Sequence, residues 1–172
     1  MFFELFPTVD YTNVGQTTSK TVTNIMRRVG VRQAIKENLT VFTRHTIRSG
    51  ETPESIAFDF YGDAELHWII LLTNDIYDRY HQWPMNVNQF QAYVNEKYSD
   101  PFAVHHYEIT QTSGDTTIKI DIGQDNTDHG SATAVTNFEY EESRQDDLRQ
   151  IRLVDPAHVN QFVSDFARLM EE

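Results

Sequence analysis

The sequence predicts an α+β fold. Two apolar helical stripes, Ala64–Thr73 and Val159–Met170, stand among β-alternating segments at Leu39–Arg48, Val104–Ile122 and Leu148–Val154. With 172 residues, 39% of them hydrophobic, and 11 Phe, 8 Tyr and 2 Trp, the chain can bury a substantial core.

In chain order, residues 1–11 form an aromatic arm, and Thr12–Lys20 reads as a small polar linker. Val22, Ile25, Met26 and Val29 recur near 3.6-residue spacing and predict a helix over Val22–Asn38, weakened at Gly30. A strand follows over Leu39–Arg48, with Val41, Thr43, His45 and Ile47 on one face. Thr52 with Pro53 predicts a capped helix start, because a proline at the first helical position has no N–H to leave unpaired. Gly62 should end that helix, Asp63 should cap the buried helix Ala64–Thr73, and Asn74 should stop it in the left-handed conformation.

Asp75–Pro84 reads as an aromatic loop and Val87–Tyr98 as a helix with Val87, Phe90, Tyr93 and Val94 on one side. A hairpin over 104–122 should turn at Ser113–Asp115. Gly123–Glu142, polar and acidic, reads as an extended loop. Leu148–Val154 is a strand, and Asp155-Pro156 opens a C-terminal helix.

The formal charge of −12 disfavours nucleic acid as a partner. Absence of Cys excludes disulfides, zinc ribbons and thiol chemistry. The longest apolar run, Trp68–Leu72, cannot span a membrane. The start Met1–Pro7 lacks a basic n-region, so no signal peptide is expected and synthesis is placed in a cytoplasm. Charge is segregated. Lys20–Arg48 holds seven bases and one acid, Ser99–Asp147 eleven acids and two bases, which suits a protein that offers different faces to different neighbours.

Chemistry is sparse. Phosphate-loop, dinucleotide, His-Glu-x-x-His and Gly-x-Ser-x-Gly patterns are missing. His105 and His106, adjacent on a strand, should point to opposite faces and fail to share a metal. Asp125 to Gly130 imitates a calcium loop, but Thr136 stands where the bidentate Glu belongs. Asp59, Asp63 and Glu65 could imitate a glycosidase pair, but Asp63 is needed as a cap and Asp59 should be exposed. His67 should be a hydrogen-bonded core residue. No catalytic residue, metal site or cofactor is expected, and a small-molecule ligand is not anticipated.

Two resemblances stand out. Gly50-Glu51-Thr52, Ile56-Ala57, Tyr61-Gly62-Asp63, Trp68 and Asn74 resemble a LysM module in order and spacing. The longer pattern Tyr61-Gly62-x3-Leu66-x-Trp68-x2-Leu71-x2-Asn74-x3-Asp78-x4-Trp83 resembles the small baseplate wedge proteins of contractile-tailed phages. The start Phe2-Phe3 and the ending from Leu148 to Glu171 fit the same family, while 100–147 is unmatched.

That resemblance implies a non-enzymatic virion component that docks on other wedge proteins and helps wedges associate around the hub. It implies a LysM-like βααβ core at 39–74 plus 148–155, with Leu148–Val154 supplying the second strand. An arm and helix would occupy 1–38, an insertion 75–147 and the C-terminal helix 156–172. Expected interface residues are Phe2, Phe3, Phe6, Arg27, Arg28, Arg32, Tyr77, Tyr80 and Trp83, because aromatics and Arg dominate interface energetics. The alternative is an N-acetylglucosamine-binding module contacting glycan through Gly50, Glu51, Thr52, Asp75, Ile76 and Tyr77.

Overall fold

The computed structural model describes residues 2–15, 17–31, 41–115 and 117–171, and is mixed α+β. In chain order its strands are β1 (Thr8–Tyr11), β2 (Lys20–Thr23), β3 (Phe42–Thr46), β4 (Val104–Thr110), β5 (Lys119–Asp121), β6 (Thr133–Thr136) and β7 (Gln150–Val154). Its helices are α1 (Pro53–Tyr61), α2 (His67–Thr73), α3 (Arg79–Gln82), α4 (Val87–Lys97), α5 (Asn137–Arg149) and α6 (Pro156–Glu171). The strands pair antiparallel as β1–β2, β3–β7 and β5–β4–β6. Two compact units result: Met1–Ile47, Glu51–Gln82 and Gln150–Glu172 form the first, Arg48–Gly50 and Trp83–Arg149 the second.

In the first unit, capping chemistry delimits α1. Thr52 accepts from the Ser55 N–H at 3.2 Å while Ser55 Oγ accepts from the Thr52 N–H at 3.0 Å, and Pro53 follows the cap. Gly62 at φ +77° stops the helix, a conformation that costs a side chain with Cβ but not glycine. Asp63 then accepts from the Glu65 N–H at 2.8 Å and starts a 3₁₀ turn that runs into α2. On α2, Trp68, Ile69, Ile70 and Thr73 are buried. Trp68 packs on Phe166 of α6 with ring centroids 4.6 Å apart, and Phe42, Val154, Val159 and Met170 complete this core.

The strand pair β3–β7 places Phe42 opposite Val154 and Thr46 opposite Gln150, so residues more than a hundred positions apart share one sheet. Asn74 does not take the left-handed conformation, having φ −100°; that role falls to Asp75 at φ +56°. The amide side chain of Asn74 instead holds the free edge of β7. Its Nδ2 donates to the Arg152 carbonyl and its Oδ1 accepts from the Arg152 N–H, both at 2.8 Å.

The helix expected over Val22–Asn38 does not form in its described part. Lys20-Thr21-Val22-Thr23 is rich in β-branched residues and pairs with Thr8–Tyr11, with Thr21 Oγ1 donating to Asp10 Oδ1 at 2.7 Å. Residues 32–38 lie outside the described set. Lys20, at the end of the expected linker Thr12–Lys20, instead begins β2 and pairs with Tyr11.

In the second unit, α4 buries Phe90 and Val94, but Val87 is exposed. The hairpin β4–β5 forms, with Ile118 and Ile120 left largely exposed. The largest departure lies between 123 and 142, where β6 and the first half of α5 replace the expected loop. Thr136 and Glu139 form a capping box: Glu139 Oε2 accepts from the Thr136 N–H at 2.8 Å, and Thr136 Oγ1 accepts from the Glu139 N–H at 3.2 Å. The residues α5 buries are Glu141 and Gln145, so no apolar stripe announces it.

Candidate functional site

The 3₁₀ turn Phe2–Leu5 folds the arm back onto the first unit. Phe6 is half-buried with its ring 6.5 Å from Phe166, Leu5 packs on the same core, and Phe3 remains 62% exposed. The Phe2 side chain and Arg32 lie outside the described set. Arg27 Nη2 donates to the Leu169 carbonyl at 3.3 Å, which uses it within the fold, and Arg28 is exposed.

The aromatic loop splits. Tyr77 and Tyr80 are 80% and 90% exposed, whereas Trp83 is buried at 9%. Trp83 is thus part of the chain's own packing, and its replacement cannot be expected to leave the fold intact. Around the two tyrosines the backbone is pinned: Gln82 Oε1 accepts from the N–H groups of Tyr77 and Asp78 at 2.7 and 2.8 Å, and Asp78 Oδ1 accepts from the Tyr80 N–H at 2.9 Å. His81 Nδ1 lies 2.5 Å from Asp78 Oδ2, and this hydrogen bond holds the Asp78 carboxyl below its usual range. Arg79 donates to Glu54 Oε1 at 2.6 Å and ties the short α3 to α1.

The positions expected to contact glycan are engaged locally. Glu51 Oε2 lies 3.2 Å from His45 Nε2, and Thr52 caps α1. The Ile76 N–H donates to the Leu71 carbonyl at 2.9 Å, and Tyr77 Oη donates to Asp75 Oδ1 at 3.3 Å. Gly50, at φ +87°, makes a turn that a side chain would strain.

A polar network organises the second unit. Glu141, 2% exposed, accepts from Lys97 Nζ at 2.7 Å and from Tyr98 Oη at 2.8 Å, and Gln145 Oε1 accepts from the Met85 N–H at 2.9 Å. Burial alone would push the Glu141 carboxyl up, but the bonds from Lys97 and Tyr98 outweigh it and hold it below the usual range. The hydrogen bond to Glu141 raises Lys97 in turn.

His105 and His106 do not point apart. A register shift between Val104 and His106 interrupts the alternation of β4 and brings their Nδ1 atoms to 2.9 Å. Among the described residues no group of three His, Asp or Glu side chains is placed to hold a metal ion. The aspartates of the calcium-like stretch accept from their own loops: Asp121 from the Gly123 N–H at 2.7 Å and Asp125 from the Thr127 N–H at 2.9 Å. Asp63 caps as expected, Asp59 is exposed, and His67 Nδ1 lies 3.0 Å from the Ala64 carbonyl. No helix among the described residues is long and apolar enough to cross a membrane.

Fold and site together define a mixed α+β protein that displays two tyrosines on a backbone-pinned loop and satisfies its buried acid internally. The chain belongs to the family described as Base plate wedge protein 53, whose model matches residues 1–108. It is 26% identical over 195 aligned positions to Baseplate wedge protein gp53 of Enterobacteria phage T4, an alignment that covers 100% of this chain and 97% of that protein. Two esterases of Mycobacterium tuberculosis, Esterase MT1326 and Esterase Rv1288, are each 49% identical over 37 residues, 22% of this chain and 8% of each esterase. That share is too small to transfer an activity. The chain is a structural protein of a phage tail baseplate, and its place is the virion.

Proposed function

We propose that this chain is a non-enzymatic docking component of the baseplate wedge and that it lets wedges associate around the central hub. Its family membership supports the setting. The observation that carries the docking role is the pair Tyr77 and Tyr80, exposed on a loop whose backbone is already fixed by Gln82 and Asp78. Aromatic side chains on a pre-ordered backbone lose little entropy on binding, and such residues dominate interface energetics. Phe3 and Arg28, both exposed, extend the proposed contact set.

In this reading residues 39–74 plus 148–155 are a LysM-like core used for packing, and 75–147 is an insertion within it. The antiparallel pairing of β3 with β7, and the clamp from Asn74 to Arg152, support that division. The test is the double variant Tyr77→Ala, Tyr80→Ala. It should keep wild-type near-UV circular dichroism and lose at least about 30-fold in affinity for co-expressed wedge proteins, as expected for two interface anchors. A variant that co-assembles like wild type would remove the loop from the interface.

A further inference from the structure

The bulge in β4 creates a contact that a regular strand would forbid. His106 is buried at 7%, its Nε2 lies 3.2 Å from Glu108 Oε1, and its Nδ1 faces His105 Nδ1 at 2.9 Å. The His105 ring stacks on Tyr140 of α5, with centroids 3.9 Å apart and planes within 10°. The Arg144 guanidinium lies over the Tyr140 ring, its Cζ 5.9 Å from the centroid. On β6 the residue opposite His106, Val135, is uncharged, and on β5 Asp121 pairs with Glu108.

We propose that His105 and His106 are a proton-sharing pair that closes this corner of β4 and α5 while it holds no extra proton or one, and opens it when it holds two. Each neutral imidazole carries one N–H. The carboxylate of Glu108 accepts, so the His106 proton sits on Nε2, and the lone pair of its Nδ1 accepts from the Nδ1–H of His105. A first added proton goes to the outer Nε2 of His105, or to His106 Nδ1 with the His105 proton leaving Nδ1 for Nε2. Either arrangement keeps one N–H between the two Nδ1 atoms. A cationic His105 is also favoured by the Tyr140 face and opposed by Arg144. A second added proton puts an N–H on both Nδ1 atoms, with no acceptor between two like charges, and the contact must part. The two rings therefore cannot both carry a second proton while their Nδ1 contact holds.

Ring ¹⁵N–¹H correlation spectra of the full chain, followed from mildly alkaline to acid pH, test this, with His105→Phe and His106→Asn used to assign the two rings among the seven histidines. The expected result is His105 in the Nδ1–H and His106 in the Nε2–H tautomer at the alkaline end. On acidification the signals of the two rings should change together in two successive steps. In His105→Phe, which retains a ring on Tyr140, His106 should collapse to a single step. Should that variant not fold, the wild-type spectra decide alone. Two independent single-step curves, or His105 in the Nε2–H tautomer at the alkaline end, would overturn the proposal.

Discussion

The two units solve the problem of a core in opposite ways. Around Trp68 the first unit packs Phe42, Ile69, Val154, Val159, Phe166 and Met170, and the buried Thr73 bonds back to the Ile69 carbonyl of its own helix at 2.6 Å. The second unit buries Phe90 and Val94 but also His106, Glu141 and Gln145; His106 bonds within its own strand, and the other two are held by hydrogen bonds from Lys97, Tyr98 and Met85 outside their helix. An apolar core tolerates changes of solution charge; a buried carboxylate ties its unit to pH. The chain provides a reporter for each, since Trp68 lies in the first unit and Trp83 in the second.

The largest expected loss is in the first unit. Trp68→Ala removes the ring packed on Phe166 and should cost about 4 kcal/mol of the first unit's stability in urea, followed by far-UV circular dichroism. A loss shared equally by both units would break the comparison. Next comes Glu141→Gln, which takes the charge from the buried carboxyl that Lys97 and Tyr98 donate to and should cost about 2 kcal/mol, reported by Trp83 fluorescence.

The same carboxylate predicts a pH dependence. Its folded value lies below the unfolded one, so its contribution is complete above pH 4.5, the ordinary value, and is lost as pH falls through the folded value. Between about pH 5 and pH 2 the Trp83 transition should therefore weaken in wild type and flatten in Glu141→Gln, while the Trp68 transition changes less.

Asn74→Ala should cost about 2 kcal/mol, because it leaves both backbone groups of Arg152 on the β7 edge without the amide that satisfies them. Hydrogen exchange at the Arg152 amide would rise with it. The smallest effect has the opposite sign. The Tyr61 hydroxyl is buried beside the Val154 backbone with no contact of hydrogen-bond geometry among the described residues, and burial pushes its ionisation up to about 12. Tyr61→Phe should be neutral or stabilise by up to about 1 kcal/mol, and should remove the part of the alkaline destabilisation that begins when the unfolded phenol ionises.

What was legible in the residues follows the same division. The first unit announces itself through caps and periodicity: Thr52-Pro53, Gly62, Asp63 and the stripe Val159–Met170 each mark an element that forms. Helix α5 was illegible to an apolar-periodicity reading because the residues it turns inward at 138, 141 and 145 are one Phe, one Glu and one Gln. Its capping box, Thr136-x-x-Glu139, was the available signal. Strand β2 was misread because Val22, Ile25, Met26 and Val29 fit a helix only if the hairpin partner at Thr8–Tyr11 is ignored. The histidine pair escaped because strand alternation assumes no bulge. Of the expected contact residues, Tyr77 and Tyr80 are displayed and Trp83 is not, a distinction residue type alone cannot make.

The central claim, docking within the baseplate wedge, is tested most directly by affinity capture of the tagged chain from cells late in expression of its whole source genome, with mass spectrometry of what accompanies it. Other baseplate proteins recovered in fixed ratio, and lost with the Tyr77→Ala, Tyr80→Ala variant, are the predicted result. Recovery of the chain alone, or with cell-wall fragments and no tail protein, would contradict it.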